Sequence, residues 1–137
     1  MDLPNVLMIC IDDLKDWIGY LNGNPDVKTP HIDKLASEGR KFTNAHSVVP
    51  VCSPSRISIM YGLHATTHGS YVGIPYEAIE RLKDVSTIEG YFQKNGYLSI
   101  GSGKILDHDF KGELAKNFDQ VIDSAPKGGP RSKRKPR

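Results

Sequence analysis

At 137 residues, with 38% hydrophobic and 25% charged residues, the chain has the size and composition of one modest globular domain. No apolar run approaches the length that crosses a bilayer, and the first residues lack the pattern of a secretory leader. We therefore expect neither a membrane span nor an export signal in this sequence, and localisation is left open. Two cysteines are too few for a disulfide scaffold.

The net charge of +2 hides an uneven distribution of charge along the chain. Six of the 18 basic residues lie after Ser124, and none of the 16 acidic residues does. We divide the chain accordingly into a mildly acidic body, residues 1–124, and a basic tail rich in proline and glycine, residues 125–137, which is expected to be disordered. Basic tails can bind nucleic acid, but no aromatic residue is interleaved here for base stacking, so no nucleic-acid partner is expected.

The first predicted element is a strand from Asn5 to Ile11, a nearly continuous apolar run typical of a central parallel strand buried on both faces. A helix is predicted next, with Thr29 as its N-cap and Pro30 as its first residue. Gly39 suits a left-handed cap that ends this helix. The residues from Lys41 to Ala45 are predicted to form a short strand.

A second helix is predicted from Pro54 to about Tyr61. A third is predicted to begin at a capping box formed by Ser86 and Glu89, and to end at Gly96. The residues from Tyr97 to Ile100 then form a predicted strand. This alternation of strands and helices predicts an α/β fold with a mostly parallel sheet and right-handed crossovers.

In open α/β sheets, functional sites gather at the carboxyl ends of the strands. Asp12 and Asp13 follow the first predicted strand, Lys104 follows the last, and Cys52 lies in a segment between them. The two carboxylates offer hard oxygen ligands that suit Ca²⁺ or Mg²⁺. Adjacent aspartates are by themselves weak evidence, since most such pairs are turn residues or helix caps.

The most informative stretch is Cys52-Ser53-Pro54-Ser55-Arg56, which places a cysteine at the predicted start of a helix. Pro54 fits the first helical turn, where its missing N–H costs nothing. The free N–H groups of that turn and the helix dipole favour an anion beside Cys52. Arg56 adds a planar guanidinium suited to sulfate or phosphate. A nucleophile and an anion site are thus predicted within five residues.

This pentapeptide resembles the signature of the sulfatase family, Cys-x-Pro-Ser-Arg followed by Thr-Gly. Gly62 matches the glycine of that signature, whereas Tyr61 stands where the family usually has threonine. The resemblance extends over roughly Asn5 to His108 and includes the segments 29–36 and 86–97. It is closest to iduronate-2-sulfatase-like members.

The resemblance implies the N-terminal part of an alkaline-phosphatase-like fold, truncated in this chain. It also implies that a formylglycine-generating enzyme oxidises Cys52 to formylglycine, whose hydrate attacks the sulfur of a sulfate ester, such as a sulfated sugar. The second hydroxyl of the hydrate then expels sulfate. By the same resemblance Asp12, Asp13 and residue 52 bind a divalent cation, Ca²⁺ or alternatively Mg²⁺.

Three further residues receive roles from the resemblance. Arg56 orients the formylglycine hydrate, and Lys104 contacts the substrate sulfate. The family has a histidine two or three residues after this lysine, whereas His108 stands four residues after it. His108 is therefore either an acid for the leaving group or an exposed loop histidine, and both interpretations stay open.

The family completes its metal site with residues further downstream, and none of these can be placed in this sequence. We therefore expect little or no hydrolase activity from this chain alone. Two alternative functions stay open. One is a phosphate or phosphonate ester hydrolase of the same superfamily. The other is a non-catalytic fragment that binds anions or a partner through its basic tail.

Overall fold

The computed structural model describes residues 3–72, 76–105 and 117–122. After a 3-10 turn at Gly19–Leu21, the helices are α1 (Pro30–Glu38), α2 (Cys52–Tyr61), α3 (Ala65–His68), α4 (Tyr76–Leu82) and α5 (Ile88–Lys94). Strands β1 (Ile100–Ser102) and β2 (Gln120–Ile122) pair in parallel, with Ile100 opposite Gln120. None of the helices within these ranges combines the length and the apolar character needed to cross a lipid bilayer.

Helix α1 begins directly after Thr29, as predicted, but Thr29 does not cap its backbone. The Thr29 hydroxyl instead accepts the N–H of Gly19 at 2.8 Å and lies 3.1 Å from the Asp33 carboxylate. The same Asp33 oxygen accepts the N–H of Tyr20 at 2.8 Å, so these bonds join the 3-10 turn to α1. The left-handed cap predicted at Gly39 is wrong, because this residue is extended with φ −115°.

Two predicted strands, residues 5–11 and 41–45, are wrong for this structure, which shows no regular secondary structure over either segment. Residues 5–11 are not buried either, with Leu7 84% and Ile9 71% exposed. A strand exists only when a neighbouring strand accepts and donates its backbone hydrogen bonds, and an apolar pattern does not supply that neighbour. The strand predicted at residues 97–100 is present but shifted towards the C-terminus, as β1.

Helix α2 forms close to where it was predicted, and two local signals explain its ends. It begins at Cys52, two residues before the predicted start, and Pro54 lies in its first turn, where no intrahelical bond needs a proline N–H. Gly62 follows the helix in the left-handed conformation, with φ 65°. An L side chain is strained at that φ, so glycine favours the helix end here.

The small core lies between α2 and α4. Ile57 and Met60 of α2 and Leu82 of α4 are buried against each other, with Ile57 fully inaccessible to solvent. Ile105 and Phe118, from the segments that flank β1 and β2, pack against this cluster. One face of α2 is thereby fixed against both a helix and the parallel strands.

Helix α5 is capped one residue later than predicted. Thr87, and not Ser86, accepts a backbone N–H, that of Gly90 at 3.3 Å. The predicted capping-box partner, Glu89, is instead buried, and neither carboxylate oxygen has a hydrogen-bond partner among the described residues. Burial raises the pKa of Glu89. Gly96 closes the helix in the left-handed conformation, with φ 85°, as predicted.

A buried serine–histidine pair joins α2 to α3. The Ser58 Oγ and His68 Nε2 atoms lie 3.0 Å apart, and His68 Nδ1 accepts the N–H of Ser70 at 3.1 Å. A neutral imidazole that accepts at Nδ1 carries its proton on Nε2, so His68 donates to Ser58 and does not act as its base. His68 is fully buried, although histidines in loops usually lie on the surface of a protein.

The first prediction concerns the core contact of α2. Ile57→Ala should lower the free energy of unfolding by about 2–5 kcal/mol, because it removes a fully buried side chain and leaves a cavity. Ile59→Ala is the matched control on the same helix, where the side chain is 44% exposed, and should cost far less. Denaturant unfolding measures both, and equal losses would show that Ile57 does not contribute to a core.

The second prediction concerns the pH dependence of stability. Burial, and secondarily the charge of nearby His64, lowers the pKa of His68. The unfolded chain therefore binds a proton at this residue before the folded chain does as pH falls below about 6.5. Its contribution to stability is present above that pH and is lost as pH falls towards the folded pKa.

The His68→Gln variant tests this expectation, since an amide can still donate to Ser58 without titrating. Between about pH 7 and pH 5, the free energy of unfolding should fall less steeply in His68→Gln than in the wild type. His46→Gln, at an exposed histidine, should leave the slope unchanged. Identical slopes for the wild type and His68→Gln would contradict the assignment.

Candidate active site

One carboxylate joins three distant segments of the chain. Asp12 Oδ1 lies 3.1 Å from Arg56 Nη2, and Asp12 Oδ2 lies 3.0 Å from Lys104 Nζ. These residues are 44 and 92 positions from Asp12 in sequence. The contact therefore brings the end of the first apolar segment, helix α2 and the residue after β1 to one place.

Arg56 is the most enclosed member of this group, with only 12% of its side chain exposed. It lies one turn after Cys52 on α2, so the two side chains share a side of the helix. Its Nη1 atom also donates to the main-chain carbonyl of Lys104. Two hydrogen bonds from one planar guanidinium fix its orientation more firmly than a single contact does.

Lys104 approaches the group from the turn that follows β1, where Gly103 has φ 76°. The hydrogen bond to Asp12 raises the pKa of Lys104, and the interaction with Cys52 beside it acts in the same direction. The pKa of Asp12 is lowered, first by its bond to Lys104 and then by its bond to Arg56. The carboxylate and the ammonium therefore hold their opposite charges next to the cysteine.

Cys52 is the first residue of α2 and is half-buried. The first N–H groups of a helix have no intrahelical acceptor, and the helix dipole places partial positive charge there. Beside it, the Ser53 hydroxyl is buried and has no hydrogen-bond partner among the described residues. The cysteine thus lies between the positive end of a helix and the two cations, an environment that favours a bound anion.

The described residues do not by themselves form a metal site. Asp12 and Asp13 form a turn, with Asp13 left-handed at φ 56°. Within the described ranges, no group of three or more His, Cys, Asp or Glu side chains is placed to hold a metal ion. Both oxygens of Asp12 already face a cation. His108 and the basic tail, residues 125–137, lie outside the described residues.

The structure thus brings together four of the residues selected from the sequence: Asp12, Cys52, Arg56 and Lys104. Two features of their arrangement were not predicted from the sequence. Asp12 was expected to bind a metal, and its ion pairs with Arg56 and Lys104 were not foreseen. The carbonyl of Lys104 as an acceptor for Arg56 was not foreseen either, since a main-chain acceptor has no signature in the sequence.

Comparison with known proteins agrees with the resemblance of the sequence to sulfatases. The sulfatase family model matches residues 4–130. A sulfatase from Formosa agariphila is 43% identical over 111 residues, which cover 77% of this chain and 22% of that relative. Human iduronate 2-sulfatase is 38% identical over 105 residues, covering 77% of this chain and 19% of the relative. An ulvan-active sulfatase from F. agariphila is 42% identical over 91 residues, which cover 64% of this chain and 18% of that relative.

The chain therefore spans about a fifth of the length of these curated relatives. No solved structure matches the chain. The predicted α/β class is confirmed, and the coverage fits the expectation of the N-terminal part of an alkaline-phosphatase-like domain. Since the family model covers most of its residues, the chain belongs to the sulfatase family.

Proposed function

We propose that residues 1–124 are the nucleophile-bearing part of the catalytic domain of a sulfuric ester hydrolase, with Cys52 as the precursor of formylglycine. The observation that supports this most directly is the meeting of Arg56 and Lys104 beside Cys52. Two cations that converge from different segments next to a helix start suit a tetrahedral oxyanion. Membership in the sulfatase family makes sulfate the first choice for that oxyanion.

Each side chain then has a defined task. Formylglycine, once formed at position 52, supplies a hydrated aldehyde, one hydroxyl to attack sulfur and a second to release sulfate. Arg56 orients residue 52 from one helical turn away, and its enclosed guanidinium excludes water from that side. Lys104 holds a sulfate oxygen through its ammonium group. An unmodified Cys52 thiol lacks the second hydroxyl and does not turn over by this route.

The divalent cation, Ca²⁺ or alternatively Mg²⁺, stays a prediction. Asp12 and Asp13 offer the oxygen chemistry that such ions prefer, and residue 52 would be the third member. The described residues do not supply a complete set of ligands for such an ion. The role of His108 as an acid also stays a prediction, with the exposed loop histidine as its alternative.

For the substrate class we propose a sulfated sugar, because two relatives are named for iduronate and ulvan. The protein partner is a formylglycine-generating enzyme, with no nucleic acid expected. Residues 125–137 are proposed to be a basic tail that does not belong to the catalytic unit. Since the chain spans about a fifth of the relatives' length, we expect it to have little or no activity alone.

The third prediction is that Cys52 is converted to an aldehyde on co-expression with a formylglycine-generating enzyme. Peptide mass spectrometry across residue 52 detects the change, and an aldehyde-reactive probe confirms it. Cys52→Ala is the negative control. Tyr61→Thr restores the family threonine and should raise the converted fraction if Tyr61 weakens recognition. A thiol that persists in both the wild type and Tyr61→Thr would contradict the assignment of Cys52.

The fourth prediction concerns turnover. The purified, converted chain should hydrolyse an aryl sulfate no faster than its Cys52→Ala variant, because the described residues hold only part of a site. A rate that Cys52→Ala abolishes would contradict the expected inactivity. If such a rate appears, comparing sulfate with phosphate monoesters separates a sulfatase from a phosphate ester hydrolase. Deletion of residues 125–137 should abolish function only if the chain is a non-catalytic fragment that binds through its tail.

A further inference from the structure

The Asp12 carboxylate lies between the two cations to which the proposed function assigns an oxyanion. Its two oxygens are divided between the two cations beside Cys52, Oδ1 facing Arg56 and Oδ2 facing Lys104. A sulfate ion would use two of its oxygens in the same way. We propose that Asp12 is an internal counter-ion that occupies the oxyanion position between Arg56 and Lys104, so that the chain binds free sulfate weakly until this carboxylate is removed.

The Arg56 guanidinium is not free to turn towards a second anion while Asp12 stays in place. Its side chain is only 12% exposed, and its Nη1 atom donates to the Lys104 carbonyl. That bond also ties the backbone of Lys104 to α2, which is fixed by the core around Ile57. An incoming anion therefore has to displace Asp12, because Arg56 cannot adopt another side-chain conformation to bind it.

The same contact explains why these residues do not match the metal site that the family implies. A divalent cation at Asp12 would lie close to the Arg56 guanidinium and the Lys104 ammonium, each about 3 Å from the oxygens it must bind. Like charges so close together repel strongly. With no third ligand among the described residues, nothing there offsets that repulsion. As a counter-ion, Asp12 thus disfavours the binding of a free anion as well as the binding of a free cation.

This inference concerns the site of the proposed function but does not depend on formylglycine or on turnover. It is tested on the purified full chain with Cys52 as the thiol, by titration with sodium sulfate at constant ionic strength, followed by calorimetry or by NMR shifts. Asp12→Asn should bind sulfate about tenfold more tightly than the wild type, equivalent to about 1.4 kcal/mol. Asp12→Ser, which removes the same charge, should show a similar gain.

Two controls distinguish a displaced counter-ion from a general change of charge. Asp13→Asn removes the same charge one residue away and should leave sulfate affinity close to that of the wild type. Lys104→Met combined with Asp12→Asn should abolish the gain. Equal gains in Asp12→Asn and Asp13→Asn, or no gain in either Asp12 variant, would overturn the proposal.

Calcium provides a second, independent measurement. Calcium chloride should not raise the melting temperature of the wild-type thiol form, because Asp12 is engaged by two cations. Calcium stabilisation that is present in the wild type and lost in Asp12→Asn would overturn the proposal. Failure of Cys52 conversion would contradict the proposed function and leave these titrations unaffected, so the two ideas fail separately.

Discussion

The arrangement of the site depends on the shared carboxylate of Asp12. It is the contact through which an extended segment without strand partners is held against α2 and the end of β1. Surface ion pairs are individually weak, and Asp12 is 42% exposed, so these pairs do not hold the site together alone. The rigidity comes from α2, which packs Ile57 against Leu82 and carries Arg56 at the preceding position. Core and site therefore share one helix.

Local chemistry predicted the helices better than the strands. Pro54 and Gly62 each act through their own backbone preferences, and these positions bound α2 much as expected. The observed start of α5 differs from the predicted start by a single residue. Ser86 and Thr87 are both able to cap a helix, and only tertiary packing selects between them. The strand predicted at residues 5–11 depends on non-local contacts instead. A strand forms only beside other strands that pair with its backbone, and apolar residues alone do not provide those partners.

The site shows the same division between local and non-local information. Residues 52–56 predicted that a cysteine and an arginine lie together at the start of a helix, which is a local property. The presence of Lys104 at the site was predicted from its position directly after a strand. The contact between Asp12 and these cations did not follow, because it depends on how three segments pack. The burial of His68 was hidden for the same reason, since a polar residue that pairs with Ser58 in the interior has no distinctive sequence pattern.

A count of charges shows how Asp12 limits anion binding. Asp12 brings one negative charge to the contact, while Arg56 and Lys104 bring two positive charges. A sulfate dianion that approaches this group meets one unmatched positive charge and is repelled by the carboxylate between the two cations. Without the carboxylate, the two positive charges would match the two negative charges of sulfate. The site therefore becomes complementary to a dianion only when Asp12 is displaced.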